Sequence, residues 1–343
     1  MSALSLPKRC SALARPRALL LAALAAAAAI VPLFLDPQGY WVRVLTLTLI
    51  FAALGQAWNI VGGLANQISL GHAAYFGVGA YASTILLINF GLSPWIGLFV
   101  GMALAVVVAL VLSVPTFRLK GHYFALATLA AGEALRVIAN SWQGVTGGPV
   151  GLSVPFMPDS FWMMSYGAPR PFYWIALAAL VLVTLVFWWI KSSALGYRLR
   201  AVKENEQAAE VVGVNTFRAK LWASLVSAAA TAAIGVVYVQ FTYFFDPDAV
   251  FGVATVSVRL ALVAIVGGIG TVIGPVVGAL VVVPLEELVN AALQGQVAGL
   301  SAFVYGAILI AVILVEPRGL VALFGRLRRG LGRRPGGAGE AGR

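Results

Sequence analysis

The residues of this chain that could do chemistry are few and widely separated. Residues 193–221, SALGYRLRAVKENEQAAEVVGVNTFRAKL, hold a dense run of charge in a chain that otherwise avoids it. Elsewhere, ionisable groups stand singly inside apolar runs. Glu133 and Arg136 lie one helical turn apart and can neutralise each other, whereas Arg259 has no partner nearby in the sequence. Such a set can dock and pair ions; it offers no nucleophile with a base beside it. Cys10 is the single cysteine, which excludes an intramolecular disulfide and a Cys-rich metal site. His72 and His122 follow glycines at the starts of apolar runs, where a residue at a membrane–water interface is expected rather than a metal ligand. The sequence lacks a P-loop, a nucleophile elbow and a zinc motif, so any energy source has to be an ion gradient or another polypeptide.

The elements that position these groups follow from composition. The chain is 61% hydrophobic and 10% charged, with a mean hydropathy of +0.94, which puts it among integral membrane proteins. Apolar stretches approach the roughly 20 residues that a helix needs to cross the hydrocarbon core, and the alternation of a barrel strand is missing. The fold class expected is an all-α polytopic membrane protein. Candidate spans fall near 18–35, 41–62, 69–88, 94–114, 121–140, 172–190, 221–241, 250–268, 272–290 and 299–316. That is about ten crossings, within a range of eight to ten. The stretch from Val253 to Val283 is broken by GGIG and GP, so it reads either as two crossings or as two short, re-entrant helices.

Charge orients the spans. Segments 1–17, 63–68, 115–120, 191–220 and 317–343 hold all of the 23 Lys and Arg residues except Arg43, Arg136, Arg170 and Arg259. Lys and Arg near span ends are retained on the cytoplasmic side, so an even number of spans with both termini cytoplasmic is expected. The net charge of +11 follows from these loops, and no nucleic-acid partner is expected. The division expected is a cytoplasmic tail 1–17, one transmembrane domain 18–317 with a cytoplasmic segment 191–220, and a basic, Gly-rich, disordered tail 318–343. The opening KRCSALARPRALLLAALAAAAAIVP also has the pattern of a secretory signal peptide; its removal would leave the later topology intact.

Between Ala201 and Val212 apolar and charged positions alternate as in one short amphipathic helix, which Gly213 can end in a left-handed cap. Acidic residues outnumber Lys203 on its polar face, so a groove on a partner protein suits it better than anionic headgroups. Asn59, Asn66, Gln67, Ser69 and Thr128 are hydrogen-bonding groups inside or beside spans, and with Glu133, Arg136 and Arg259 they are candidates for a translocation pathway or for ties between helices. Gly71, Gly77 and Gly79 in one helix, and Gly267, Gly268, Gly270, Gly274 and Gly278 in a later region, allow helix backbones to approach closely in lipid, where contact depends on fit.

Four stretches carry a resemblance. GYRLRAVKENEQAAEVVGVNTFRAKLWASLVSAAATAAIGVVY resembles the cytoplasmic coupling segment of ABC importer permeases of the branched-chain amino acid type, in which Glu-x-Ala-Ala, a short spacer and Gly mark the loop that enters the ATPase subunit. Glu206, Ala208, Ala209 and Gly213 match that pattern, with Gly196, Arg198, Arg200 and Lys220 on its flanks. WNIVGGLANQISLGHAAYFGVGAYAS resembles the family's Gly-rich early helix. LKGHYFALATLAAGEALRVIANSWQGVTGGPVGLSVP resembles its central helix and external loop, and VAIVGGIGTVIGPVVGALVV its late Gly-rich pair. The long 141–171 loop fits the M-type subunit better than the shorter H-type. The resemblance implies a non-catalytic permease of a bacterial inner membrane. It implies a second permease subunit, two cytoplasmic ATPase subunits that carry the ATP and Mg, and a periplasmic solute-binding protein. No cofactor or metal is expected on this chain. The cargo implied is a branched-chain amino acid or a similar small polar solute. The other reading is a secondary transporter driven by an ion gradient, for which Glu133 is thin support.

Overall fold

The computed structural model of the chain describes residues 26–119, 121–293, 299–316 and 319–323. The tail 1–17, the start of the first expected span with its signal-peptide pattern, and nearly all of the C-terminal tail lie outside these residues.

Helix α1, Tyr40–Ala65, is the axis of the bundle. Its most apolar window is 89% buried, against 61% for α2, His72–Phe90, and α8, Thr216–Thr242. The windows of α3, Pro94–Thr116, of α5, Arg170–Ser192, and of α11, Gly274–Leu293, are mostly uncovered. Since α1 is apolar on every side, it needs neighbours on every side. The outer helices instead point Phe99, Val111, Leu182 and Trp189 away from the protein, as lipid-facing helices do. Six of the described helices are long and apolar enough to cross a membrane. Helix α4, His122–Ser141, has the length, but Glu133, Arg136 and Asn140 make one side of it polar.

Close approach sets the packing. A Cβ on Gly79 of α2 would lie 2.3 Å from the carbonyl oxygen of Ala232 in α8, and one on Gly235 of α8 would lie 2.4 Å from that of Phe76 in α2. Only hydrogen at these positions lets the two backbones touch, and in lipid that contact is itself the attraction.

The segment expected as a span over 250–268 is a π-helical turn, Val253–Val258, followed by α10, Arg259–Gly267. At 1.5 Å per residue this unit is about 22 Å long, short of a hydrocarbon core of about 30 Å. A Gly-rich turn leads into α11, and α12, Leu300–Val315, closes the described bundle. The external-loop candidate after α4 is a one-turn helix Gln143–Thr146, a 3-10 turn Gly148–Val150 and strand β1, Leu152–Ser153. β1 pairs antiparallel with β2, Phe244–Phe245, so a minimal ladder ties this loop to the end of α8. Gly147, Gly148 and Gly151 have positive φ, as a tight turn requires.

Candidate functional site

The charged segment projects from the end of the bundle where α5 stops and α8 begins. Ser193 caps α6, Ala194–Glu204, and the turn into α6 is so tight that a Cβ on Gly196 would lie 2.3 Å from the Ile190 carbonyl oxygen. Leu199 and Val202 anchor α6 to the bundle. The single amphipathic helix expected over 201–212 is broken at Asn205. That residue is extended (φ −159°, ψ 113°), and its Oδ1 accepts a hydrogen bond from Ala208 N at 3.0 Å, starting a separate helix α7, Glu206–Val211. The local Asx cap outcompetes helix continuation. Gly213, at φ +86°, ends α7 in a Schellman arrangement, with Val214 N donating to Ala209 O and Gly213 N to Glu210 O, both at 2.9 Å.

The two sides of α7 differ. Inward, Ala209 is buried, Glu206 pairs with the buried Lys220 of α8 at 2.5 Å, and Glu210 accepts from the Thr216 hydroxyl at 2.6 Å. Outward, Ala208, Val211 and Val212 are exposed, the valines to 88% and 76%. Arg198 and Arg200 are exposed, and Arg200 lies over the Tyr197 ring and donates to the carbonyls of Gly196 and Lys191. Glu206 and Lys220 therefore hold the knob in place, while Ala208 and the two valines form its free surface.

Two side chains lash this segment to the core. Lys203 Nζ donates to Gly63 O in the last turn of α1 at 3.0 Å, and Lys191 Nζ to Gly270 O at 2.6 Å. Asn59 of α1 clamps the same turn, accepting from Gly270 N at 2.7 Å and donating to Thr271 O at 2.9 Å. Asn59 is thus a tie between helix and turn. Nothing but charge marks the two lysines in advance, because their acceptors are backbone carbonyls.

The other polar candidates are placed differently. Asn66 is exposed in the left-handed C-cap of α1. Gln67 is buried. Thr128 accepts from Leu70 N and donates to Ala125 O. His72, expected at a membrane–water interface, is buried within the protein at the start of α2. Ser227 gives its proton to Ala57 O, so His72 Nε2–H donates to Ser227 Oγ and Nδ1 accepts from Ser69 Oγ. Ser69 and His72 also line a small cavity with Tyr75 and Thr128.

At the opposite end of the bundle, Arg136 bonds Glu133 through Nε at 2.8 Å and reaches Asp248 with Nη1. Asp248 belongs to α9, Pro247–Phe251, and also accepts from Asn140 Nδ2 at 3.0 Å. Arg136 foremost, with Asn140, holds the Asp248 carboxyl below its usual value. Arg259 does have a partner, contrary to the reading from its neighbours: Glu286 of α11 lies 2.8 Å away, and the Phe51 ring faces its guanidinium at 3.8 Å. Among the late glycines, a Cβ on Gly267 would meet Gly274 O at 1.8 Å, one on Gly274 Gly268 O at 2.2 Å, and one on Gly278 Val263 O at 1.9 Å. Gly71 abuts Thr128 O and Gly77 the Phe251 ring. Gly268 and Gly270 are turn residues with positive φ instead. Among the described residues, no group of three or more His, Cys, Asp and Glu is placed to hold a metal.

The family described as branched-chain amino acid transport system, permease component, matches residues 40–313. The chain belongs to this family. It is 28% identical over 304 residues to the high-affinity branched-chain amino acid transport system permease protein LivM of Escherichia coli, covering 82% of this chain and 70% of LivM. It is 24% identical over 292 residues to LivH of the same organism, covering 80% and 92%. It is also 27% identical over 210 residues to the autoinducer 2 import system permease protein LsrC of Salmonella paratyphi B, covering 60% and 58%. As a permease of this ABC family, the chain is a multi-pass membrane protein, in agreement with its six long apolar helices. The matched region includes the permease's central helix α1, the knob around α7 and the π-helical unit.

Proposed function

We propose that this permease is a membrane subunit of an ATP-driven importer in a bacterial inner membrane. It pairs with a second permease chain, takes a branched-chain amino acid or a similar small polar solute from a periplasmic binding protein, and is driven by two cytoplasmic ATPase subunits that hold the ATP and Mg. The chain itself does no bond-making chemistry. ATP can shift an inward-facing against an outward-facing state only through contacts that differ between the two, and the knob around α7 is the surface suited to carry them.

The observation that carries this reading is the build of that knob. Its outer side offers small and apolar groups, Ala208, Val211 and Val212, its inner side is held by the Lys220–Glu206 pair, and Lys203 connects its base to the central helix. Charge supports the orientation. Arg118, Lys191, Arg198, Arg200, Lys203 and Arg218 gather at the knob's end of the bundle, against Arg43, Arg136 and Arg170 towards the other.

The test is site-directed labelling in a Cys10→Ser background. A Val212→Cys variant in cells is expected to react with a membrane-impermeant maleimide only from the cytoplasmic face, and to be protected when the ATPase subunit copurifies. Labelling from the periplasm, or gradient-driven uptake by the purified chain alone, would overturn the proposal.

A further inference from the structure

We propose that Arg136, Glu133, Asp248 and Asn140 form a transit site for a zwitterionic α-amino acid on the polar side of α4; this rests on the transport reading above.

Depth is the first argument. Glu133 lies eight residues from Ser141, about 12 Å along the helix, yet the side chains of Arg136, Glu133 and Asp248 are 29%, 41% and 64% exposed. A charge presented to lipid is costly, up to roughly 2.5–3.5 kcal/mol at the centre of a span on insertion scales. This side of α4 therefore faces water or another polar surface. The polar residues recur at Glu133, Arg136 and Asn140, spacings of three and four that set them on one stripe.

Bonding pattern is the second argument. The hydrogen bonds from Arg136 and Asn140 all fall on Glu133 Oε1 and Asp248 Oδ1, so among the described residues the second oxygen of each carboxylate stays available. An ammonium has three donors for such oxygens. A carboxylate takes a guanidinium through two parallel bonds. An amino acid zwitterion can thus replace the Arg136–Asp248 contact one for one, its carboxylate on Arg136 and its ammonium on Glu133 and Asp248, adding no net charge. The set carries one positive and two negative charges, so a displacing cation restores charge balance but leaves Arg136 Nη1 without the oxygen that Asp248 gives up, an anion leaves the carboxylates in excess, and an uncharged polyol cannot return the charge-assisted bonds that it displaces.

Position is the third argument. Asp248 O accepts from the Thr255 hydroxyl at 3.3 Å, inside the π-helical turn. π turns depart from the regular helical ladder and gather at functional sites. The residue whose contact the solute would displace is therefore tied through its backbone carbonyl to the irregular unit leading to α10.

The experiment uses the complete importer in proteoliposomes, with radiolabelled leucine as the probe and leucinamide as a cationic competitor. Arg136→Gln and Asp248→Asn are expected to lower leucine uptake at least tenfold while receptor-stimulated ATP hydrolysis stays within twofold of the wild type. Arg136→Lys should recover part of the uptake, and leucinamide should compete weakly. Unchanged uptake in both variants overturns the site, as does a parallel fall of uptake and hydrolysis, which would mark a purely structural role. Failure of the wild-type importer to move leucine with ATP overturns the transport reading itself, a result distinct from either.

Discussion

Lys203 Nζ sits 3.0 Å from the carbonyl oxygen of Gly63, at sequence positions 140 residues apart. Gly63 is in the last turn of α1, where carbonyls lack intrahelical partners, and a lysine there also meets the negative end of the helix dipole. The charged segment is thereby bonded to the most buried helix of the protein. Replacing Lys203 with Met keeps most of the stem packing but removes the bond, at about 1.5–3 kcal/mol for a charge-assisted contact. ATP hydrolysis by the assembled importer is expected to continue while uptake per ATP falls several-fold, measured side by side in proteoliposomes.

The Glu206–Lys220 pair gives a different signature. Lys220 is 2% exposed and Glu206 21%, so Glu206→Gln strands a buried cation, at about 3 kcal/mol, the low end of the range for breaking an enclosed pair. The double variant Glu206→Gln/Lys220→Met is expected to unfold at a higher temperature than Glu206→Gln alone. A double-mutant cycle on melting temperatures checks this.

Gly213 has open space around the site of a Cβ, and its constraint is conformational, φ +86°. Asn, which visits the left-handed region, should be tolerated, whereas Val should cost about 1–2 kcal/mol and unseat the tip of α7. Copurification of the ATPase subunit is expected to fall for Gly213→Val and to persist for Gly213→Asn.

Backbone meeting backbone leaves nothing flexible to move. Gly79→Ala places a methyl 2.3 Å from Ala232 O, while Gly144→Ala meets nothing within 4 Å. The first should destabilise by about 3 kcal/mol or more and reduce the monodisperse fraction in detergent; the second should match the wild type in size-exclusion chromatography.

Asp248 supplies the pH dependence. Its carboxyl is held below 3.8, chiefly by Arg136 and then by Asn140. A depressed native value means that the stability it adds is fully present above the unfolded value and is lost as pH falls through the native one. The melting-temperature gap between wild type and Asp248→Asn should stay constant from pH 8 to 5 and close only below about pH 4.

Much of this architecture was legible from local pattern. Apolar runs and breakers put the span of α1 near 41–62 and that of α3 near 94–114, close to Tyr40–Ala65 and Pro94–Thr116. The Glu133–Arg136 spacing announced a pair, because helical period fixes which side chains meet. Even the break at Asn205 had a local cue in Asn followed by Glu-Gln-Ala, outweighed by the longer amphipathic alternation.

The sequence by itself determined the membrane class, the places where spans break and the charged segment, since each depends on composition or on separations of a few residues. Only the tertiary structure decided that Arg259 meets Glu286, that Asp248 completes the Arg136 set, and that Asn59, Lys191 and Lys203 converge on the turn around Gly270 and the end of α1. The physical reason is the nature of the acceptors. A distant carboxylate becomes a neighbour only when helices pack, and a backbone carbonyl is the same atom in every residue, so no residue type marks it in advance.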